Sequence, residues 1–534
     1  MPQLVANQAP PQGYYARNLR LVIETVCAQY DDLLSEKERS FAQSTLNLST
    51  DALRLFARLL SRTRDLIRLD SLNYADVGDL AGALRELQAT ELIDVNSRHI
   101  DMPALLNLLT IPELRELFAE CHLQGRKEEL IFAVGDTLSA SVIYERVKER
   151  CPWLVIAVSP EFELFCLLFF GNSAQRLDEF VIRDLGVTKY EAYSLDPTYR
   201  LFRERYMVDR YLELNAIAEF VEIEGKQISI DHAKAVYELL ENREDDRVLE
   251  SRRASILNAL GRNLERCNQL QLALACYAAS TTHPARERTM RIWHKHQQLE
   301  KVETLRTQIL ENPQCHDELH FARRFKRAKH VPVELPERTS AVPEAMEQPI
   351  ESYAAEQLIN DGHEAWHIEN LLPMGLFALA YWDWFYAPVR GAFVNPFQSV
   401  PLDLYSKEFF DLRRTQCEDP LAQPKELKAR ILETARQKTG LSCHLIAWQV
   451  FSPEFLRKLM TTLTTSQLCS ILRIVQEDLR QFRAGFPDLT VIDSQGNVSF
   501  VEVKGPGDQL RPNQRLWIER LMAAAIPVHV WRFK

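Results

Sequence analysis

Residues 485–504 read GFPDLTVIDSQGNVSFVEVK, and their grammar differs from that of the chain before them. DLTVID is a short apolar run, SQGN is turn material, and VSFVEVK alternates, which together make the signature of a β-hairpin. With a strand period of two, Val498, Phe500, Glu502 and Lys504 share one face, and Ser499, Val501 and Val503 share the other. The first strand begins at Asp488, directly after Gly485, Phe486 and Pro487, so the hairpin brings Asp488 towards Glu502. Two acids and a lysine converge. Carboxylates so placed hold hard divalent cations, which polarise a phosphate and lower the pKa of an attacking water. A nearby ammonium orients that water or meets the charge gathering on the phosphate in the transition state. The same residues also fit an exposed hairpin whose Glu502 and Lys504 are ordinary edge charges.

Upstream of the hairpin, Glu369 precedes the apolar run LLPMGLFALAYWDWFY at Leu371–Tyr386. An acid there is favoured by the helix dipole alone. It also offers a third carboxylate to a cation that prefers about six oxygens, because the residues between it and Asp488 are numerous enough to form a helical excursion that returns to the sheet. Further back, residues 331–351 (VPVELPERTSAVPEAMEQPIE) carry four prolines and five glutamates, and read as a linker or surface excursion. The main boundary is therefore expected near 345, with a C-terminal portion of different grammar at 346–534.

Everything before that boundary reads as helical. Phe321–His330 (FARRFKRAKH) places Arg323, Arg324, Lys326, Arg327 and Lys329 together with no acid, which suits either a DNA-binding patch or a solvated helix face. Residues 245–310 have apolar residues at helical spacing, with small Ala273, Ala275 and Ala278 where helices pack closely. They read as helix pairs similar to tetratricopeptide repeats without a clean period, within a region 151–345. His294 and His296 lie two apart, on different helix faces, and are not expected to share a metal. In Leu109–Val134, Thr110 and Glu113 form a capping box with Pro112 in the first turn, and Gly125 ends the first of two helices. This segment, within 101–150, resembles the SAP motif, a two-helix DNA-binding module. Arg115, Arg126 and Lys127 are its candidates for phosphate contact, or else ordinary surface charges. Residues 1–100 read as helices around a short Arg/Leu extended piece, a winged-helix-like unit.

Composition agrees with this division. A chain of 534 residues suggests about three to four domains at roughly 150 residues each. Its 17 glycines are less than half the usual share of about 7%, which favours helices over tight turns. A net charge of −10 argues against indiscriminate coating of nucleic acid, whose affinity comes from lysine and arginine replacing counterions. None of the ten cysteines forms a CxxC pair, and the opening MPQLVANQAPPQGYY has no signal-peptide core. Both point to a reducing cytoplasm. The longest apolar stretch, Leu371–Tyr386, contains Asp383 and falls short of the roughly 20 residues that cross a bilayer. No membrane span is expected.

Extended to Leu521, the hairpin region resembles the VRR-NUC variant of the PD-(D/E)xK nucleases. The resemblance lies in Gly485, Pro487, Asp488, Glu502, Val503, Lys504, the GPGD of Gly505–Asp508, and a helix with Gln514 and Trp517. Ala365–Tyr405 resembles the segment that supplies a further acid in the Fanconi-associated nuclease branch, although Ala365 stands where related sequences often have glycine. With the SAP-like and repeat-like pieces in that branch's order, the chain resembles a bacterial-type Fanconi-associated nuclease. The resemblance implies a multidomain, mostly α protein ending in an α/β restriction-endonuclease-like domain. It implies a metal-dependent nuclease acting on branched or 5′-flapped double-stranded DNA, both as an endonuclease and as a 5′ to 3′ exonuclease, in interstrand crosslink repair. Glu369, Asp488, Glu502 and the carbonyl of Val503 would hold Mg2+ or Mn2+, as two ions. Lys504 would be catalytic and Gln514 would lie near the site. A monomer is expected, cytoplasmic and on the bacterial nucleoid when bound to DNA. The competing readings are a non-catalytic helical-repeat scaffold, which the complete acid and lysine set disfavours, and a dimeric junction resolvase.

Overall fold

A computed structural model describes residues 13–62, 64–121, 124–172, 189–325, 333–342 and 348–534. The chain divides into two compact units, Met1–Val187 with Phe202–Arg205, and Thr188–Leu201 with Tyr206–Lys534. No described helix is long and apolar enough to cross a membrane.

The first unit is built on amphipathic helices. Tyr14–Tyr30 buries Leu19, Val22, Ile23 and Val26, while Thr50–Leu60, capped by Ser49, buries Leu55, Phe56 and Leu59. Three short strands follow: β1 (Leu66–Arg68), β2 (Ile93–Val95) and β3 (Trp153–Ile156). They form a sheet in the order β1-β3-β2, with β3 antiparallel to both neighbours. The middle strand thus enters from beyond the SAP-like segment, which lies between β2 and β3 as an insertion of four helices with its own core of Leu105, Leu114, Phe118, Leu130 and Val134. Within it the capping box of Thr110 and Glu113 forms as the sequence predicts. Gly125 has φ +101°, and a Cβ there would meet the Glu129 carboxylate that caps the second helix.

Two expected boundaries change in consequence. A unit ending at residue 100 would lack its central strand. A repeat region starting at 151 would take in β3 and the helix Ser159–Phe170, which packs on Tyr14–Tyr30 and sets Phe165 edge-on to Phe41 at 5.3 Å.

In the second unit, successive helices from Ile230–Leu240 to His316–Arg324 each pack on the next in the chain. Gly261 accepts the Tyr277 ring so closely that a Cβ would lie 2.7 Å from it. Arg253, fully buried, ties three helices together. It pairs with Glu250 at 2.7 Å and donates to the carbonyls of Leu240 and Ala279, the latter at 2.8 Å.

The same unit ends in a five-stranded sheet of β4 (Glu337–Ser340), β5 (Glu364–His367), β6 (Leu489–Ile492), β7 (Val498–Lys504) and β8 (Val528–Phe533). The order is β4-β8-β7-β6-β5. β4, β8 and β7 run parallel, and β6 is antiparallel to both β7 and β5. Phe500 and Val498 pack with Trp517, Val528 and Val530 beside the buried helix Leu371–Ala380. On the other face, Val501 and Val503 pack with Leu489, Trp531 and the helix Ile350–Asn360. This is the alternation read from the sequence. The membrane-length question about Leu371–Tyr386 resolves into core: Leu372, Phe377, Tyr381 and Phe385 are all buried.

Within 331–351, read as a linker or surface excursion, residues 337–340 form an exposed edge strand, while 331–332 and 343–347 lie outside the described residues. Pro336 precedes the strand rather than interrupting it, and an edge position requires ladder bonds on one side only. Trp531 Nε1 donates to Ser340 Oγ at 2.9 Å, and Arg338 lies over the Trp531 ring at 4.1 Å. The nuclease-like portion therefore begins before residue 337, not at 346.

Candidate active site

The register of the β6/β7 hairpin pairs Leu489 with Val501, so the next residues outward, Asp488 and Glu502, face each other. Asp488 Oδ2 accepts the Val503 N–H at 2.8 Å. Glu502 is fully buried, and Lys504 Nζ lies 2.7 Å from its Oε1 in an ion-pair contact without hydrogen-bond geometry. Neither carboxylate oxygen of Glu502 has a hydrogen-bond partner among the described residues.

Glu369 arrives from the opposite side. β5 pairs with β6 so that His367 faces Leu489, and just beyond, the Glu369 N–H donates to the Asp488 carbonyl at 3.2 Å. Glu369 has φ +39°, a conformation that non-glycine residues seldom adopt. It ends the strand and turns the chain into Leu371–Ala380. The Glu369 side chain does not cap that helix; its Oε1 accepts from Asn370 Nδ2 at 2.8 Å, while Asn370 Oδ1 accepts the Phe486 N–H at 3.0 Å. Asn370 thus orients Glu369 against the loop that presents Asp488. Ala365, in the glycine position, sits within β5 opposite Val491 and leaves the strand regular.

Electrostatics follow from this crowding. Burial, with the negative charge of Asp488 and Glu369 nearby, raises the Glu502 pKa to about 7 against the pull of Lys504. Burial also raises Asp488, opposed by the Val503 N–H and Lys504, with Glu369 and Glu351 adding to the rise. Three carboxylates thus face one ammonium, two of them buried, and an uncompensated buried charge is costly. The donor set is all oxygen around Glu502, whose carboxylate meets only the Lys504 ammonium. It fits a hard divalent cation.

The structure brings Asp488, Glu502, Val503, Lys504 and Glu369 together. Gln514 is buried, and its Oε1 accepts the Arg511 N–H at 3.0 Å as the cap of Pro512–Ala523. The start of that helix packs on the motif: a Cβ on Gly485 would lie 2.8 Å from Asn513. Of the expected DNA contacts, Arg115, Arg126, Arg323 and Arg324 are exposed. Lys127 is half-buried and donates to the Asn107 carbonyl at 2.7 Å. Lys326 and Arg327 lie outside the described residues. Sequence reasoning missed His367, Asn370 and Glu351. A signal existed for the first: His367 precedes Glu369 by two, the spacing that keeps both on one strand face.

A VRR-NUC domain model matches residues 422–533, and a FAN1, HTH domain model matches residues 13–94. The first covers Asp488, Glu502 and Lys504 but begins after β4 and β5. Among relatives, a Fanconi-associated nuclease 1 homolog of Pseudomonas aeruginosa is 28% identical over 98% of this chain and 96% of its own. The human Fanconi-associated nuclease 1 is 24% identical over 98% of this chain and 62% of its own. A crystal structure of paFAN1 bound to 2nt 5′ flap DNA with gap superposes with a TM-score of 0.78 at 26% identity, covering 99% of both chains.

Proposed function

We propose, on the premise that this chain belongs to the Fanconi-associated nuclease family and is a divalent-metal-dependent DNA nuclease with a C-terminal VRR-NUC domain, that it cuts 5′-flapped duplex DNA by phosphodiester hydrolysis. Its activities in this reading are flap endonuclease and 5′ to 3′ exonuclease, in the repair of interstrand crosslinks. The observation that carries the reading is Glu502, buried beside Asp488 and Lys504 with both carboxylate oxygens lacking hydrogen-bond partners. DNA bound by the paFAN1 structure supports the choice of substrate.

Asp488, Glu502, Glu369 and the Val503 carbonyl are the groups that would hold Mg2+ or Mn2+, as two ions. When bound, such ions polarise the phosphate and lower the pKa of the attacking water. Asn370 keeps the Glu369 carboxylate in place. The Val503 N–H fixes one oxygen of Asp488, leaving the other for the cation. Lys504 holds its ammonium beside Glu502, where it orients the attacking water and meets negative charge on the phosphate. The burial of these groups keeps bulk water from competing. Arg115, Arg126, Lys127, Arg323 and Arg324 belong to the backbone-positioning class of contact, together with Lys326 and Arg327.

The test is cleavage of a panel of labelled substrates (duplex, 5′ flap, 3′ flap and four-way junction) with Mg2+, Mn2+ or chelator. Preferential metal-dependent cutting of the 5′ flap supports the reading. Preference for the four-way junction would instead support a resolvase, and inertness across the panel a binding scaffold.

A further inference from the structure

His367 is the last residue of β5 and exposed, and its imidazole makes no hydrogen bond or ion pair among the described residues. Yet a ring nitrogen of His367 and carboxylate oxygens of Glu369 and Asp488 all lie within 4.8 Å of one another. Three features hold that arrangement. β5 is bonded to β6 in a register that sets His367 against Leu489, the neighbour of Asp488. His367 closes β5, and Glu369 follows two residues on, just past the strand end. The left-handed turn at Glu369 stops the strand there, so that its carboxylate stays at the sheet end.

We propose that His367 supplies an imidazole nitrogen ligand to the cation held between Glu369 and Asp488, and thereby sets which cation this nuclease prefers. The inference rests on the metal-dependent nuclease reading and deepens it. A second, independent observation points to a cation at this sheet end: on β7, the strand beyond β6, fully buried Glu502 has only the Lys504 ammonium as an ion-pair partner, with no hydrogen bond to either oxygen, and feels the charge of both Asp488 and Glu369. Glu502 and the Val503 carbonyl supply oxygen alone, which suits Mg2+. Replacing one oxygen by imidazole favours a transition ion, because nitrogen ligands raise affinity for Mn2+ and its neighbours while Mg2+ keeps to oxygen and water. The site is then asymmetric, with an all-oxygen position at Glu502 and a mixed nitrogen and oxygen position at His367. Mn2+ should occupy the second ahead of Mg2+.

Because His367 is exposed at a strand end, its replacement should not disturb the core. The experiment uses the full chain without DNA, titrated with Mn2+ alone and with Mn2+ against Mg2+, in wild type, His367→Ala and His367→Asp. Pulsed electron paramagnetic resonance of bound Mn2+, with a parallel sample labelled with 15N-histidine, reports nitrogen coordination directly. We expect histidine nitrogen coupling in wild type and its loss in His367→Ala. Mn2+ affinity should fall by at least the roughly tenfold that loss of a supporting partner alone can cause. His367→Asp should regain binding with selectivity moved towards Mg2+. Mn2+ bound to wild type without histidine coupling overturns the inference and leaves the nuclease reading standing. Absence of Mn2+ binding by folded wild type overturns both. If the variants fail to fold by thermal melt, the labelled wild-type spectrum still decides.

Discussion

Lys504, the one ammonium among three carboxylates, is the residue on which rate and affinity should part. Lys504→Ala is expected to lower cleavage by roughly a hundredfold to a thousandfold, as loss of one preorganised transition-state donor does. Flap affinity should stay near wild type, since it comes from distributed phosphate contacts. Single-turnover cleavage beside fluorescence anisotropy measures both, and wild-type cleavage would remove Lys504 from the chemistry. Asn370 acts one step back. Asn370→Ala keeps the fold but frees the Glu369 carboxylate, and should weaken Mn2+ binding by about tenfold to a hundredfold, with calorimetry as the check. Unchanged binding would mean that the Glu369 turn alone fixes the carboxylate. The sequence makes Asp488, Glu502 and Lys504 legible because a short turn and a period of two place them by local rules. Asn370 and Glu351 obey no local rule, and the spacing of His367 before Glu369 does not say which strand they will meet. The partners of His367 and Asn370 follow from the pairing of β5 with β6 across the long helical excursion, Glu351 comes from the helix Ile350–Asn360 packed on the sheet, and no periodicity records which distant element a residue will face.

At the scale of elements, strands are harder to read than helices. The Thr110–Glu113 box and the helix repeats follow from spacing within one turn. β4 reads as part of a linker or surface excursion because the prolines and glutamates around it look like surface, while what makes it a strand is the free edge of β8. Two ties between elements yield further predictions. Arg68 on β1 forks onto Glu113 at 2.8 and 3.0 Å, joining the sheet to the inserted helices. That bond, with the Thr110 N–H, lowers the Glu113 pKa from 4.5 to about 2. A lowered carboxylate pKa stabilises the fold above the ordinary value and loses that contribution as pH falls towards the folded one. Wild type should therefore lose melting temperature faster than Glu113→Gln as pH drops from 4.5 towards about 2, and parallel curves would deny the coupling. Arg253 is the corresponding tie in the helical array. Arg253→Ala takes the cation from Glu250, which keeps only the Thr281 hydroxyl and the Glu244 N–H, removes the guanidinium from two carbonyls, and should destabilise the array by about 3 kcal/mol. Hydrogen exchange of Arg247–Arg266 and Leu270–Ala279 would locate the loss, and unchanged protection would refute it.

Across the whole molecule, an acidic protein that works on DNA must concentrate its cations. Arg115 and Arg126 on the inserted helices and Arg323 and Arg324 near the end of the helical array are exposed in that manner. Replacing either pair by alanine should weaken flap binding and reduce the slope of log K against log salt by about 0.9 for each phosphate no longer neutralised. A slope unchanged by one pair assigns that pair to ordinary solvated surface. The inserted helices themselves have a further consequence. β2 and β3 pair as Val95 with Leu154, and the Asn96 N–H donates to the Trp153 carbonyl at 2.9 Å. The entry and exit of residues 97–152 are therefore neighbours across one antiparallel rung. In topological terms the SAP-like module is a guest carried in the loop of a β-hairpin host. A host closed by a two-residue turn, with Trp153 made polar to suit its new exposure, should keep its three-stranded sheet. One excision would then remove Arg115 and Arg126 from the molecule and leave the nuclease sheet untouched, a route to separating where this enzyme binds from what it cuts.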